Sequence, residues 1–425
     1  MFWQRCRCAW LDIGPYIADK SERKHKKSAC VRCHPGKAYK PVGGCWKEDE
    51  VVMRVLILSC DTGGGHNACG EALRESLEEL GASCQIENAL AFISDFTARA
   101  IDHAFTLMYR HFPSVFRFGY QFAERHPRLL SSGSFIRKLL SAGAENLHAF
   151  LCENRFQIVL CTHVFSALMM TDVLRSYGRF VRTGFVATDY TCSPGCAQSD
   201  LDIYFIPHNN LADEFIRKGV PAEKLAVGGI PVRKEFYAAE DKKALRSRMQ
   251  IGFYERHAVL MCGSMGCGPI KQIVRELSER LPKNCCLTVI CGTNRKLRQK
   301  LDEMFAGDPR IMIRGLVRHV AMWMDSADLF ITKPGGVSTT EAACKRLPML
   351  FVNAVAGCEA YNLRFFLRRG VAATASTPKE IARQAVRLLA NPERLRQMAG
   401  RYEGAEVIPA AHAISQYIVQ EYSIH

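Results

Sequence analysis

Met53-Arg54-Val55-Leu56-Ile57-Leu58-Ser59, followed after Cys60 by Asp61-Thr62-Gly63-Gly64-Gly65-His66-Asn67-Ala68, is the stretch on which the fold turns. An unbroken apolar run closed by a polar residue describes a strand buried on both faces, the usual opening of a nucleotide-binding α/β domain. Beyond the glycines, Ala68, Ala72, Leu73, Ser76, Leu77 and Leu80 share one face of a helix expected over Ala68 to Leu80. Strand, glycine turn and helix make one βα unit. Its glycines let backbone N–H groups approach an anionic ligand, and a helix N-terminus favours negative charge.

Further buried strands are expected at Gln157 to Thr162, Arg182 to Thr188 and Ile203 to Pro207, separated by segments long enough for crossover helices. Val227-Gly228-Gly229-Ile230-Pro231-Val232 reads as a linker, because paired glycines and a proline break any element. A second α/β unit follows. Its strands are expected at Ala258 to Cys262, Cys286 to Gly292, Leu329 to Thr332 and Met349 to Val352. The fold class is therefore α/β, with two Rossmann-like doubly wound domains. The division is 53–235 for the first domain and 236–425 for the second, whose last helix is expected to pack back on the first. A chain of 425 residues suits two domains.

Residues 1–52 lack helical and strand periodicity and read as a disordered or wrongly assigned leader, with Met53 as the start of the folded chain. Cys30-Val31-Arg32-Cys33-His34 with Cys45 has part of a zinc or haem-attachment pattern, but no well-spaced second ligand pair and no secretory signal accompany it. No metal is expected. The 19 cysteines are scattered through apolar segments and read as reduced thiols; the adjacent Cys285 and Cys286 fit disulfide geometry poorly.

The net charge of +15 points to anionic partners. No recognised nucleic-acid motif accompanies it, so nucleic acid ranks last. No apolar run reaches the roughly 18 residues that span a bilayer. Between Phe92 and Leu151 the chain carries Phe105, Tyr109, Phe112, Phe116, Arg117, Phe118, Tyr120, Phe122 and Arg137. Two readings compete: core helices, or a basic aromatic surface that lies on anionic lipid.

Two loop systems carry the chemistry. The first is Gly63-Gly64-Gly65-His66, which fails as a P-loop for want of Gly-Lys-Ser/Thr and matches a dinucleotide fingerprint only as Gly63-x-Gly65-x-x-Ala68 with Glu87 downstream. A third reading makes His66 a base at a domain cleft, against the plainer one of a helix-capping histidine. The second system is Lys333-Pro334-Gly335-Gly336 with Glu341, followed by Gly357-Cys358-Glu359-Ala360-Tyr361-Asn362. Its strand-end glycine turn presents N–H groups to a diphosphate, and Glu341, Glu359 and Asn362 are suited to ribose or sugar hydroxyls.

Taken in order, the Gly-Gly-Gly-His loop, Thr188-Asp189-Tyr190, Phe205-Ile206-Pro207-His208, Gly229-Ile230-Pro231-Val232, Gly263-Ser264-Met265-Gly266 and Lys333-Pro334-Gly335-Gly336 with Glu341 are similar to those of glycosyltransferase family 28. The resemblance is to its monogalactosyldiacylglycerol synthases and processive diacylglycerol glucosyltransferases. It implies a GT-B architecture in which the two domains face a cleft, with acceptor lipid on the first and donor nucleotide on the second. It further implies inverting transfer of glucose or galactose from UDP-glucose or UDP-galactose to diacylglycerol, without cofactor, by a peripheral enzyme on the anionic cytoplasmic face of the plasma membrane.

Carried over residue by residue, the resemblance makes His66 the base, with Asp189 as reserve or as the group that orients it. Gly63, Gly64 and Gly65 form the acceptor and phosphate loop. Gly263, Ser264, Gly335, Gly336 and Glu341 would hold phosphates and ribose, Gly315 and Val317 would border the uracil, and Glu359 and Asn362 would lie near the sugar. Relatives often carry Gln at the position of Cys358, which leaves the sugar open. N-acetylglucosamine transfer to an undecaprenyl-linked precursor, a non-catalytic lipid- or nucleotide-binding module, and a nicotinamide-dependent dehydrogenase are the other readings.

Overall fold

The structure, a computed structural model, describes residues 52–61, 64–131, 133–352, 357–402 and 409–422. The leader with its Cys30, Cys33, His34 and Cys45 pattern lies outside the described residues, as does Gly63. The cysteines among the described residues, Cys285 and Cys286 included, are free thiols.

Two six-stranded parallel sheets form the frame. The first contains β1 (Arg54–Ser59), β2 (Ser83–Asn88), β3 (Ile158–Cys161), β4 (Arg182–Val186), β5 (Ile203–Ile206) and β6 (Leu225–Val227), in the order β2-β1-β3-β4-β5-β6. The second contains β7 (Arg256–Met261), β8 (Cys285–Ile290), β9 (Ile311–Arg314), β10 (Leu329–Thr332), β11 (Met349–Phe351) and β12 (Ala372–Thr374), in the order β12-β11-β10-β7-β8-β9. Parallel pairing demands crossovers, and burial on both faces demands apolar residues at every position. Thus Val55 and Ile57 face one core of the first sheet while Leu56 and Leu58 face the other. In the second sheet Val259 and Leu260 divide in the same way.

The helices that position the site are α1 (Gly64–Glu79), α2 (Asp95–His111), α3 (Pro113–Arg125), α4 (Phe135–Ser141), α5 (Val164–Tyr177), α6 (Gly336–Cys344), α7 (Cys358–Arg368) and α8 (Ala410–Tyr422). Ile414 and Ile418 of α8 are buried with Val55 and Ile57, and Tyr417 meets Phe205 edge-on at 5.5 Å. The end of the chain thereby completes the core of the first sheet.

Several expectations shift. Helix α1 begins at Gly64 rather than Ala68, so Gly64 and Gly65 are first-turn residues whose N–H groups have no intrahelical partner. Val227 is the last residue of β6 and not part of the linker, since the chain stays paired with β5 up to the glycines. Strands β2, β6, β9 and β12 were not expected from periodicity; they stand at or near the sheet edges, where partial exposure dilutes the apolar signal.

The aromatic segment 92–151 divides between its two readings. Among the described residues, Phe96, Leu107, Phe112, Val115, Phe118, Phe122, Phe135 and Ile136 are exposed, with Phe118 at 68% and Phe135 at 81%. Arg117, Arg125, Arg128 and Lys138 are exposed beside them. Arg137 is the exception: it is buried and its guanidinium donates to Asp172 of α5 at 2.7 Å. No helix among the described residues is long and apolar enough to cross a membrane.

Candidate active site

Both sheets have one point at which the strand order reverses, between β1 and β3 in the first and between β7 and β10 in the second. In the first, the chain runs from β1 outward to β2 and then returns to place β3 on the other side of β1; in the second, β7 is flanked by β8 and β10. Ligands bind beyond the carboxyl ends of strands at such a switch point. The first turn of α1, after β1, carries His66 and the end of β3 runs into Thr162, while Gly263–Ser264 follow β7 and Lys333–Gly335 follow β10 and lead into α6 at Gly336. These two crevices face each other across a cavity of about 340 Å³ lined by residues of both halves.

Closure is close-packed. A Cβ on Gly336 would stand 1.9 Å from the Thr188 carbonyl oxygen, so only glycine lets the start of α6 meet the end of the fourth strand's loop. Tyr190 leaves the first half altogether. It is buried in the core of the second, stacked on Phe365 at 4.3 Å, with its hydroxyl 2.9 Å from that of Thr340. Asn362 of α7 accepts from Tyr190 N–H at 2.7 Å and donates to Asp189 Oδ1 at 2.7 Å and to the Pro334 carbonyl at 2.9 Å.

His66 Nδ1 lies 2.8 Å from the Thr162 carbonyl oxygen, with the Thr188 hydroxyl oxygen 3.1 Å from the same nitrogen. A carbonyl only accepts, so Nδ1 carries the proton and the lone pair of the neutral ring sits on Nε2. Burial lowers the pKa of His66 below its ordinary value, and the charge of Asp189 opposes that shift. Burial raises the Asp189 carboxyl, while Asn362 and His66 restrain it. His163 packs edge-on against His66 at 4.6 Å, and burial holds it well below the usual histidine range.

On the opposite wall the first residues of α6 and α7 line the cavity, as do Gly64 and Gly65 of α1. Three helix N-termini thus bring their unpaired N–H groups and positive dipole ends to one space. Lys333 adds a full charge there, its Nζ donating to the buried Glu359 at 3.1 Å. Met261, Ile290, Leu316, Val317 and Val320 make one apolar wall, and Glu341 lines the same cavity with its carboxyl pushed up to about 8 by burial, against the pull of Arg233. Such a space accepts an anion, a flat apolar ring and a polyol together.

Of the residues singled out in the sequence, Gly64, Gly65, His66, Asp189, Gly263, Ser264, Val317, Gly335, Gly336, Glu341 and Glu359 come together on the cavity wall. Gly315 and Asn362 do not. Gly315 backs onto Arg298, and its neighbour Leu316 reaches the cavity instead. Asn362 is wholly buried and its amide is spent on Tyr190, Asp189 and Pro334, so it joins the halves and has nothing left for a sugar hydroxyl. Lys333 was quoted within its motif without a role, and its position after β10 before two glycines was the available signal. Thr162 contributes a carbonyl, for which no side-chain pattern exists.

Residues 66–232 match the family model for monogalactosyldiacylglycerol (MGDG) synthase. The chain is similar to a processive diacylglycerol beta-glucosyltransferase of Staphylococcus saprophyticus, 27% identical over 266 residues that make up 62% of this chain and 67% of the relative. It is also similar to the chloroplastic monogalactosyldiacylglycerol synthase of Spinacia oleracea, 28% identical over 351 residues, 79% of this chain and 66% of that one. The chain thus spans about two thirds of the length of these relatives. Among solved structures, Acinetobacter baumannii MurG matches with a TM-score of 0.56 and 17% identity, covering 87% of this chain and 99% of that one. That likeness concerns the fold, which is GT-B.

Proposed function

We propose that this chain is an inverting glycosyltransferase that moves glucose or galactose from a UDP-sugar to diacylglycerol at an anionic membrane surface on the cytoplasmic face. The observation that carries the reading is the tautomer of His66: with Nδ1 committed to the Thr162 carbonyl and burial keeping the ring neutral, Nε2 is a base at neutral pH. It takes the proton of the acceptor hydroxyl as that oxygen forms its bond to the anomeric carbon. The bond from that carbon to the β-phosphate oxygen breaks in the same displacement, and the configuration inverts. Asp189 stabilises the imidazolium that forms, because its charge acts on the ring.

The UDP leaving group carries the negative charge that develops. Lys333 and the N-termini of α6 and α7 meet it in a space already shaped for it, so little reorganisation is needed. The apolar wall around Val317 suits uracil, and Glu341 suits ribose. The acceptor side is supported by the names of the relatives, a diacylglycerol glucosyltransferase and a monogalactosyldiacylglycerol synthase. It is also supported by the exposed apolar and basic residues of α2, α3 and α4, which match what interfacial binding to anionic lipid requires.

The test is incubation of the full chain with diacylglycerol vesicles and radiolabelled UDP-glucose or UDP-galactose, with and without chelator, counting label extracted into lipid. Label in lipid that persists with chelator and vanishes in His66→Ala is the expected result. UDP binding without label from either donor would instead favour a binding module or another acceptor.

A further inference from the structure

Helix α3 has two faces with different company. Val115, Phe118 and Phe122 are exposed on one side, whereas Tyr120 and Glu124 turn inward toward the second half. The Tyr120 ring lies against Gly357, where a Cβ would come within 2.6 Å of it, and Gly357 takes φ of 60° to start α7. Only glycine meets both demands, so α3 and α7 approach each other closely at this contact.

The Tyr120 hydroxyl is wholly enclosed and makes no hydrogen bond of ordinary geometry, although Ser193 lies close by. An enclosed, unpaired phenol costs roughly 1–3 kcal/mol, and each such group in a folded protein calls for a reason. Its charged and polar surroundings are Cys358, Asp189 and Glu124, and burial among them raises the phenol well above its usual range. It is therefore a neutral donor, enclosed where α3 meets the start of α7, the helix whose Asn362 donates to Asp189. The Tyr361 side of α7 faces the same helix through Glu124, with Lys218 over the Tyr361 ring at 5.4 Å. Tyr120 thus stands between a surface suited to lipid and the carboxylate that polarises His66.

We propose that Tyr120 is a positioning residue: when α2 and α3 seat on lipid, its hydroxyl becomes a further hydrogen-bond donor to Asp189, so that lipid docking sets the base. The inference rests on the glycosyltransferase reading above and extends it to the coupling between membrane surface and catalytic centre. A small displacement of α3 at the Gly357 contact would carry the donor toward the carboxylate, since Cys358, the next residue, lines the same cavity as Asp189. The exposed apolar face supplies the free energy for that shift by burial in lipid.

The experiment compares the full chain with Tyr120→Phe, which keeps the ring on Gly357 and removes only the donor. Transfer is followed on vesicles of diacylglycerol with anionic phospholipid and on a water-soluble short-chain diacylglycerol, and UDP affinity is measured by calorimetry. On vesicles Tyr120→Phe should lower kcat about tenfold, the effect of one hydrogen bond to a charged group, with UDP affinity and vesicle partition unchanged. On the short-chain acceptor the two proteins should converge. Wild-type kcat on vesicles, an equal defect on both acceptors, or a matching loss of UDP affinity would each overturn the inference while leaving the glycosyltransferase reading standing. A wild-type chain that transfers no sugar to either acceptor would overturn both.

Discussion

The two sheets are both parallel and six-stranded, yet their switch points differ in electrostatic character. At the first switch point the crevice holds one neutral, buried histidine whose proton inventory is set by a backbone carbonyl. At the second it holds a lysine and the positive ends of two helices. The switch point in each strand order fixes where a ligand sits, whereas the residues after each strand decide whether that place suits a proton transfer or an anion. The outer surfaces differ as well: eight of the fourteen large hydrophobic residues exposed among the described ones lie between Phe96 and Ile136, on the first half.

The comparison breaks most sharply at His66. His66→Ala should lower transfer by about 10²–10⁴-fold, the usual worth of a general base, with UDP affinity by calorimetry unchanged. Loss of UDP binding in that variant would mean that the first crevice also holds the donor. In the wild type, transfer should be complete at neutral pH and fall as pH drops through the lowered pKa of His66, because protonation removes the lone pair on Nε2. A pH–rate profile with its acid limb below about 6.5 is the expected form.

Lys333→Ala should act on the other crevice. It removes the charge proposed to face the leaving group and takes an ion pair from the buried Glu359, so kcat/KM for the donor should fall by about 10- to 100-fold while vesicle binding is retained. A third variant separates surface from cleft. The double change Phe118→Asp and Phe122→Asp should weaken vesicle partition by about tenfold or more, since each buried phenylalanine is worth roughly 1.5–3 kcal/mol, with UDP affinity unaffected. Smallest for the chemistry, yet costly for the fold, is Asn362→Ala. It frees three buried groups at the junction of the halves and should lower stability by roughly 2–4 kcal/mol in denaturant unfolding.

Much of this was legible beforehand because parallel strands buried on both faces write themselves as apolar runs. β1, β3, β7 and β10 are of that kind, and they are the strands that flank the two switch points. The glycine loops behind them were legible for the same reason: close backbone approach to an anion needs glycine, and the glycines stand next to the strands. Asn362 was misjudged because an amide that can serve a sugar can equally serve three groups of the protein, and its sequence neighbours do not tell the two apart. The segment 92–151 stayed divided because helical aromatic spacing is the same whether the stripe faces a core or a membrane.

The sequence by itself determined two α/β halves and the strand-end position of each glycine loop, and it offered His66 and Asp189 as candidates to handle a proton, since these follow from local periodicity and side-chain chemistry. Only the tertiary structure decided that Thr162, 96 residues from His66, presents the carbonyl that selects its tautomer. It alone decided that Tyr190 would be buried in the opposite half, that Asn362 would join the halves, and that Tyr120 of the aromatic helix would pack on Gly357. Each of these depends on which elements meet across the cleft, and the free energy of such contacts resides in pairs of residues far apart in the chain.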